Sequence, residues 1–292
     1  MSTGNPIIRH KFTADPTVLV YNDTVYLYTG HDEAPFPVEK YIMNDWLCFS
    51  SKDMRFWEEH PSPLKTTTFK WAQGDAYASK VIHYNGQFYW FVSVSHATIK
   101  GKAIGVAIAD HPIGPFSDAI GAALITQNMI PDTQLEKANL DPTVIIDEQA
   151  IPHLIWGNTK CYHTTLKDNL LKLNSPIQTL DLPNFTEGAH LHQHNDWYYL
   201  SYGFGFPEKV AYCMSRNAAG PWEFKGILNE VAYNCETNRP AIIEFQQKNY
   251  FFYHNGALKD GGSHRRSVCI DYLYYNPDDT IKRVAMTTEG IG

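Results

Sequence analysis

Asp15, Asp141 and Glu187 occupy near-equivalent places in a pattern that the chain repeats five times. Carboxyl groups brought together from separate repeats suit acid–base chemistry at a glycosidic bond. One carboxylic acid protonates the departing oxygen, and a carboxylate activates water or attacks the sugar directly. A third carboxylate close to the acid raises its pKa by like-charge repulsion and keeps it protonated near neutral pH. Asp15 and Asp141 both stand in Asp-Pro-Thr-Val. Proline there removes a ladder donor and fixes φ, which suits the first residues of a strand. The second and fifth repeats have Ala78-Ser79-Lys80 and Arg239-Pro240 at this place, so an acid is not simply part of the repeat.

The elements that must position these groups begin at Ala14 (ADPTVLVYNDTVYLYTG), Tyr77 (YASKVIHYNGQFYWFVS), Leu140 (LDPTVIIDEQAIPHLIWGN), Thr186 (TEGAHLHQHNDWYYLSYG) and Asn238 (NRPAIIEFQQKNYFFYHNG). Each reads as a short apolar strand, a polar turn and an aromatic-rich strand. Repeats of roughly 45–65 residues, each worth a few strands, are the signature of a β-propeller. The expected fold class is all-β: one five-bladed propeller over residues 1–292, with blades starting near 14, 77, 140, 186 and 238. Acids at the starts of the innermost strands would then meet on one axis. Residues 24–28 alternate apolar and polar, and residues 87–92 are continuously apolar or aromatic, as in a strand buried on both faces. Asn22-Asp23, Asn85-Gly86 and Asn195-Asp196 are hairpin turn pairs. Residues 48–60, 109–119 and 215–226 read as third-strand turns and outer strands of blades one, two and four. Residues 118–137 read as a loop between blades two and three.

The 18 Tyr, 15 Phe and 7 Trp form a strand-favouring set that also suits stacking on sugar faces. The net charge is −7 without basic patches, which argues against nucleic-acid or anionic-membrane partners. Five scattered cysteines without CxxC read as buried thiols. No apolar leader and no spanning segment is visible, so the chain as given is expected to be cytoplasmic, or secreted or periplasmic if a signal has been removed.

Asp15 in FTADPTVLVYNDTVYLYTG, Asp141 in NLDPTVIID and Glu187 in FTEGAHLHQHNDWYYLSYG resemble the three catalytic motifs of glycoside hydrolase family 43. The resemblance runs blade by blade over essentially the whole chain. The closing GGSHRRSVCIDYLYYNPDDTIKR resembles family members acting as α-L-arabinofuranosidases and β-xylosidases on arabinoxylan and its oligosaccharides. The resemblance implies a five-bladed propeller and inversion at the anomeric carbon. It casts Asp15 as general base, Glu187 as general acid, and Asp141 as the modulator that raises the acid's pKa. It also gives Arg266 a role in binding substrate or steadying a catalytic carboxylate. Arg265, its neighbour, must face the other way on a strand. Trp71, in FKWAQGDAYASKV, resembles the tryptophan that walls the sugar pocket. His31 and Asp32 are candidates for the pocket rim.

Thirteen histidines form no HExxH and no zinc pattern. His190, His192 and His194 share one strand face. Many members of the family hold Ca2+ in the central channel, bound by one histidine and several waters. In several, that histidine begins the inner strand of blade five, where this chain has Asn238-Arg239-Pro240. His264 or His254 remains to supply the ligand, and His264 is the expected one. No organic cofactor is expected.

The activity implied is exo-acting, inverting release of terminal L-arabinofuranose or D-xylose from hemicellulose chains. Pentose-containing oligosaccharides or polysaccharides are the expected partners. Alternatives are an endo-arabinanase, a galactan-cleaving relative or a non-catalytic sugar-binding propeller. A retaining invertase-like enzyme would have an Asn-Asp-Pro motif, whereas this chain has Thr13-Ala14-Asp15-Pro16.

Overall fold

The computed structural model describes residues 4–130 and 134–292. Its strands form five antiparallel sheets. Blade one contains β1 (Thr13–Tyr21), β2 (Thr24–His31), β3 (Asp45–Ser51) and β4 (Glu58–Lys65). Blade two contains β5 (Ser79–Tyr84), β6 (Gln87–Ser95), β7 (Lys102–Ala109) and β8 (Ser117–Asp118). Blade three contains β9 (Thr143–Ile146), β10 (Pro152–Asn158), β11 (Lys160–Thr165) and β12 (Gln178–Leu180). Blade four contains β13 (His190–His194), β14 (Trp197–Phe204), β15 (Lys209–Ser215) and β16 (Glu223–Asn229). Blade five contains β17 (Ala241–Phe245), β18 (Lys248–Asn255) and β19 (Ser267–Leu273).

Strand order within every sheet follows the chain. The first strands touch in a ring: β1 beside β5, then β9, β13, β17 and back to β1. The fold is the five-bladed propeller expected, and each innermost strand starts within a few residues of its repeat. Local chemistry accounts for the tight hairpins. Asn22 and Asp23 take φ of 48° and 54°, and Asn85 and Gly86 take 49° and 78°. That left-handed region is open to Asn, Asp and Gly at little cost.

The aromatic excess packs between blades. One apolar cluster lies at each of the five blade interfaces. Tyr28, Trp46 and Trp90 fill the one between blades one and two, and Val18, Leu27, Phe245 and Phe252 fill the one between five and one. Strand β6 is buried from Phe88 to Val94 because both of its faces meet a neighbouring blade. Blade five has three strands, and the N-terminal segment covers its outer edge. Ile7 N–H donates to Val268 O at 2.9 Å, and Ile270 N–H donates to Asn5 Oδ1 at 2.8 Å. This seam ties the last blade to the first and masks an open strand edge. The five cysteines are buried and free. Among the described residues no helix is long and apolar enough to cross a membrane.

Candidate active site

The three acids meet at one end of the channel. Asp15, Asp141 and Glu187 line a common cavity with Tyr41, Tyr77, Ala78, Lys137, Leu140 and Arg266. Asp15 and Asp141 adopt φ of 50° and 56°. This left-handed bend immediately before proline is uncommon for a non-glycine residue and concentrates at functional sites. Each bend is held from the preceding blade of the ring. His254 Nδ1 on β18 accepts the Asp15 N–H at 3.1 Å, and Ser93 Oγ on β6 accepts the Asp141 N–H at 3.1 Å. Glu187 stands in the loop before β13. The next residue, Gly188, has φ 71° and donates its N–H to Asp141 Oδ2 at 2.7 Å. A side chain there would press on Asn238 O, so glycine lets the two acids share this corner.

The acids have different surroundings. Asp15 Oδ1 is paired with Arg266 Nη1 at 2.9 Å. Burial, reinforced by the negative charge of Glu187, pushes Asp141 up to about 8. Burial also raises Glu187, with Asp15 adding to the effect. Asp141 and Glu187 thus titrate as a coupled pair that holds a proton above the ordinary carboxylate range. Hydrogen bonding bears on where it rests. The Gly188 N–H and the positive charge of Arg239 favour ionised Asp141. Glu187 receives only the Asn158 amide, at 2.5 Å. By hydrogen bonds alone the proton is better placed on Glu187, the carboxyl that also faces the outer cleft, while the charges of Lys137 and Arg266 act in the opposite direction.

Outside the cavity the site widens into a larger cleft. Tyr41, Lys137 and Glu187 are common to both, and Asn158, Phe185, Phe206, Glu208, Thr237 and His264 are among the residues that extend it. Glu208 is a buried carboxyl that the sequence reading missed. Its pKa is raised well above the carboxylate range by burial and by Glu187. Its Oε2 accepts the Asn238 N–H at 2.8 Å. Tyr41 and Tyr77 were missed too: Tyr41 belongs to no motif, Tyr77 opens the second repeat where three of the others carry an acid nearby, and each reaches the cavity from a loop.

Several expected residues sit elsewhere. Trp71 was expected to wall the sugar pocket, but it is not among the residues lining the acid cavity. Its ring lies over Gly105 and against Phe69, and its Nε1–H donates to Asp118 Oδ2 at 3.0 Å. Tyr41 and Tyr77 supply the aromatic wall instead. His31 does not line the cavity either. It points outward and pairs with Asp45 at 2.9 Å, because it alternates on β2 with the inward-facing Asp32 next to it. Asp32 is fully engaged with Arg266, accepting from its backbone N–H at 2.8 Å, Nε at 2.9 Å and Nη2 at 3.0 Å. Arg266 faces inward as expected, while Arg265 turns away to Glu39, Val38 O and Asp260 O.

The expected metal ligand, His264, lies at the cleft rim. Its Nδ1 is bonded to Glu39 at 2.9 Å and its ring packs on Tyr41. The alternative, His254, does reach the axis, but both of its nitrogens are committed. Nδ1 accepts from Asp15 N–H, and Nε2–H donates to Thr237 O at 3.0 Å. Burial and nearby Arg266 push it down to about 3, so it is neutral. His190 Nε2 accepts the Ile242 N–H at 3.0 Å. The channel centre is taken by Arg239, which donates to Ser79 O at 3.4 Å, Pro142 O at 3.2 Å and Ala189 O at 3.5 Å. With these carbonyls serving a guanidinium and these histidine nitrogens committed, the residues present do not fit an axial calcium ion.

Residues 3–281 match the model described as glycosyl hydrolases family 43. The chain belongs to that family. It is 28% identical to an arabinoxylan arabinofuranohydrolase of Bacillus subtilis (strain 168), over 100% of this chain and 66% of the relative. It spans between half and two thirds of the length of the curated arabinoxylan arabinofuranohydrolases that it matches. An α-L-arabinofuranosidase from Clostridium thermocellum superposes with a TM-score of 0.81 at 29% identity, covering 97% of each chain. A family 43 β-xylosidase/α-arabinofuranosidase from a compost metagenome, in complex with xylotriose and in calcium-free form, shares the fold. Its TM-score is 0.87 at 23% identity, over 97% of each chain.

Proposed function

We propose that this family 43 propeller is an exo-acting, inverting glycoside hydrolase that releases terminal L-arabinofuranose, D-xylose or both from arabinoxylan, arabinan or xylo-oligosaccharides. The observation that carries this reading is the set of three carboxyls in three settings around one cavity. Asp15 is ion-paired, Asp141 is hydrogen-bonded and faces Arg239, and Glu187 is buried beside it at the cleft. In the proposed reaction Asp15 takes a proton from water as the water oxygen attacks the anomeric carbon. The bond to the leaving oxygen breaks, and that oxygen takes its proton from Glu187. Asp141 keeps the proton on Glu187 until it is needed. The narrow axial cavity suits one terminal sugar and the wider cleft the rest of the chain, which supports exo action. The activities named for the similar arabinofuranosidases and xylosidases support the choice of pentoses. A panel of aryl and natural pentosides tests the reading. Release of single pentoses from chain ends or branches is expected, and release of oligosaccharides from within a linear arabinan would overturn exo action.

A further inference from the structure

We infer that Arg239 is a built-in axial cation that takes the place of a channel metal ion and steadies the catalytic acids by its charge. Its guanidinium hangs from the start of blade five and donates to carbonyls from blades two, three and four. Four blades therefore converge on one side chain at the centre of the ring. Carbonyl oxygens gathered in this way are the hard donors that a calcium ion takes. Here they surround a fixed organic cation instead.

The burial is costly and unusual. Arg239 is 3% exposed, its Nε has no partner, and among the described residues no carboxylate is close enough to form an ion pair with it. Burying an unpaired cation is strongly unfavourable. The negative charges it faces are Asp141 first, then Asp15 and Glu187. Lys80, on the inner strand of blade two, is a second buried cation. Burial and repulsion by Arg239 lower it to about 8, so it is still largely protonated at neutral pH. The channel is then balanced without an ion. Asp15, Asp32 and the ionised member of the Asp141/Glu187 pair are matched by Arg266, Arg239 and Lys80. A divalent cation on the axis would meet two positive charges and occupied carbonyls. Of the other ionisable groups facing this space, His190 of blade four and His254 of blade five are kept neutral by burial, Tyr41, Tyr77 and Glu208 are raised by burial, and Lys137 adds a cation at the mouth of the acid cavity.

This inference uses the roles assigned above to the three acids, but its first test needs no substrate. The purified protein is analysed for metals, and its melting temperature is recorded with chelator and with added calcium. No stoichiometric calcium and no shift in melting temperature are expected, since an ion that bound the folded state would raise it. One calcium per chain, or a chelator-dependent drop, overturns the inference. The second test is the pH dependence of kcat/KM for Arg239→Met and Arg239→Lys. Loss of the positive charge in Arg239→Met raises carboxylate pKa values, so both limbs move to higher pH by on the order of one unit. Arg239→Lys keeps the charge and leaves the limbs in place. A slower Arg239→Met enzyme with unmoved limbs shows a merely structural arginine and refutes the charge role. If Arg239→Met does not fold, Arg239→Gln makes the same comparison while keeping an amide donor for the carbonyls.

Discussion

Arg266 holds Asp15 with one arm and Asp32 with the rest of its fork. Nη1 meets Asp15 Oδ1 at 2.9 Å, while Nε and Nη2 meet the two oxygens of Asp32 at 2.9 and 3.0 Å. A residue from the last blade thereby fixes the direction of the proposed base on the first. Because Asp32 is buried with Arg266, Asp32→Asn should cost on the order of 3–5 kcal/mol, the penalty for breaking a buried pair. Chemical denaturation checks this, and a loss under about 1 kcal/mol, the range of surface pairs, would show that the pair does not anchor the seam.

Asp15→Asn should lower turnover by at least the 10²–10⁴-fold, roughly, of a lost general base. Sugar binding should change little, since the amide keeps an oxygen for Arg266 Nη1, but the melting temperature should fall, since one of the two buried charges paired with Arg266 is lost. A variant that retained most of its rate would remove Asp15 from the base role.

Glu187→Gln should slow natural oligosaccharides far more than nitrophenyl glycosides, because a nitrophenolate departs without a proton. Comparing kcat/KM for the two substrate types is the measurement. Equal losses on both would refute the acid assignment.

The pH profile of kcat/KM on a natural oligosaccharide should be bell-shaped, with its alkaline limb above the ordinary carboxylate range, because burial and repulsion among the acids raise Asp141 and Glu187. Asp141→Asn removes the negative charge beside Glu187. Glu187 then ionises at lower pH, and the alkaline limb moves toward acid. A limb that stayed in place would show that Asp141 does not tune the acid.

Stereochemistry follows from the placement of the acids. Asp15 belongs to blade one and Glu187 to blade four, which are not adjacent in the ring. That leaves room for a sugar ring and a water, as inversion requires with carboxyls about 6.5–9.5 Å apart. Proton NMR of the first-formed pentose should show the anomeric configuration opposite to that of the cleaved bond. Retention of configuration would overturn the water-activating role of Asp15.

The fivefold pattern, the blade starts and the three acids were legible in the chain. Each is set by local rules: strand alternation, Asn and Gly at hairpin turns, and an acid before proline at the head of an inner strand. Arg266 was legible from the family resemblance, and strand parity added only that Arg265 and Arg266 cannot face the same way. Trp71, His31 and His264 were not. Each is decided by what a loop or the next strand offers: Asp118 for Trp71, Asp45 for His31, Glu39 for His264. Tyr41 and Glu208 carried no local signal, and Tyr77 and Arg239 were marked only by their places at the starts of blades two and five, not by a role. Their surroundings come from residues far away in the chain, gathered only when the ring closes. A repeat pattern sets the position of each strand along its own blade, whereas burial, charge balance and pKa at the axis depend on all five blades at once.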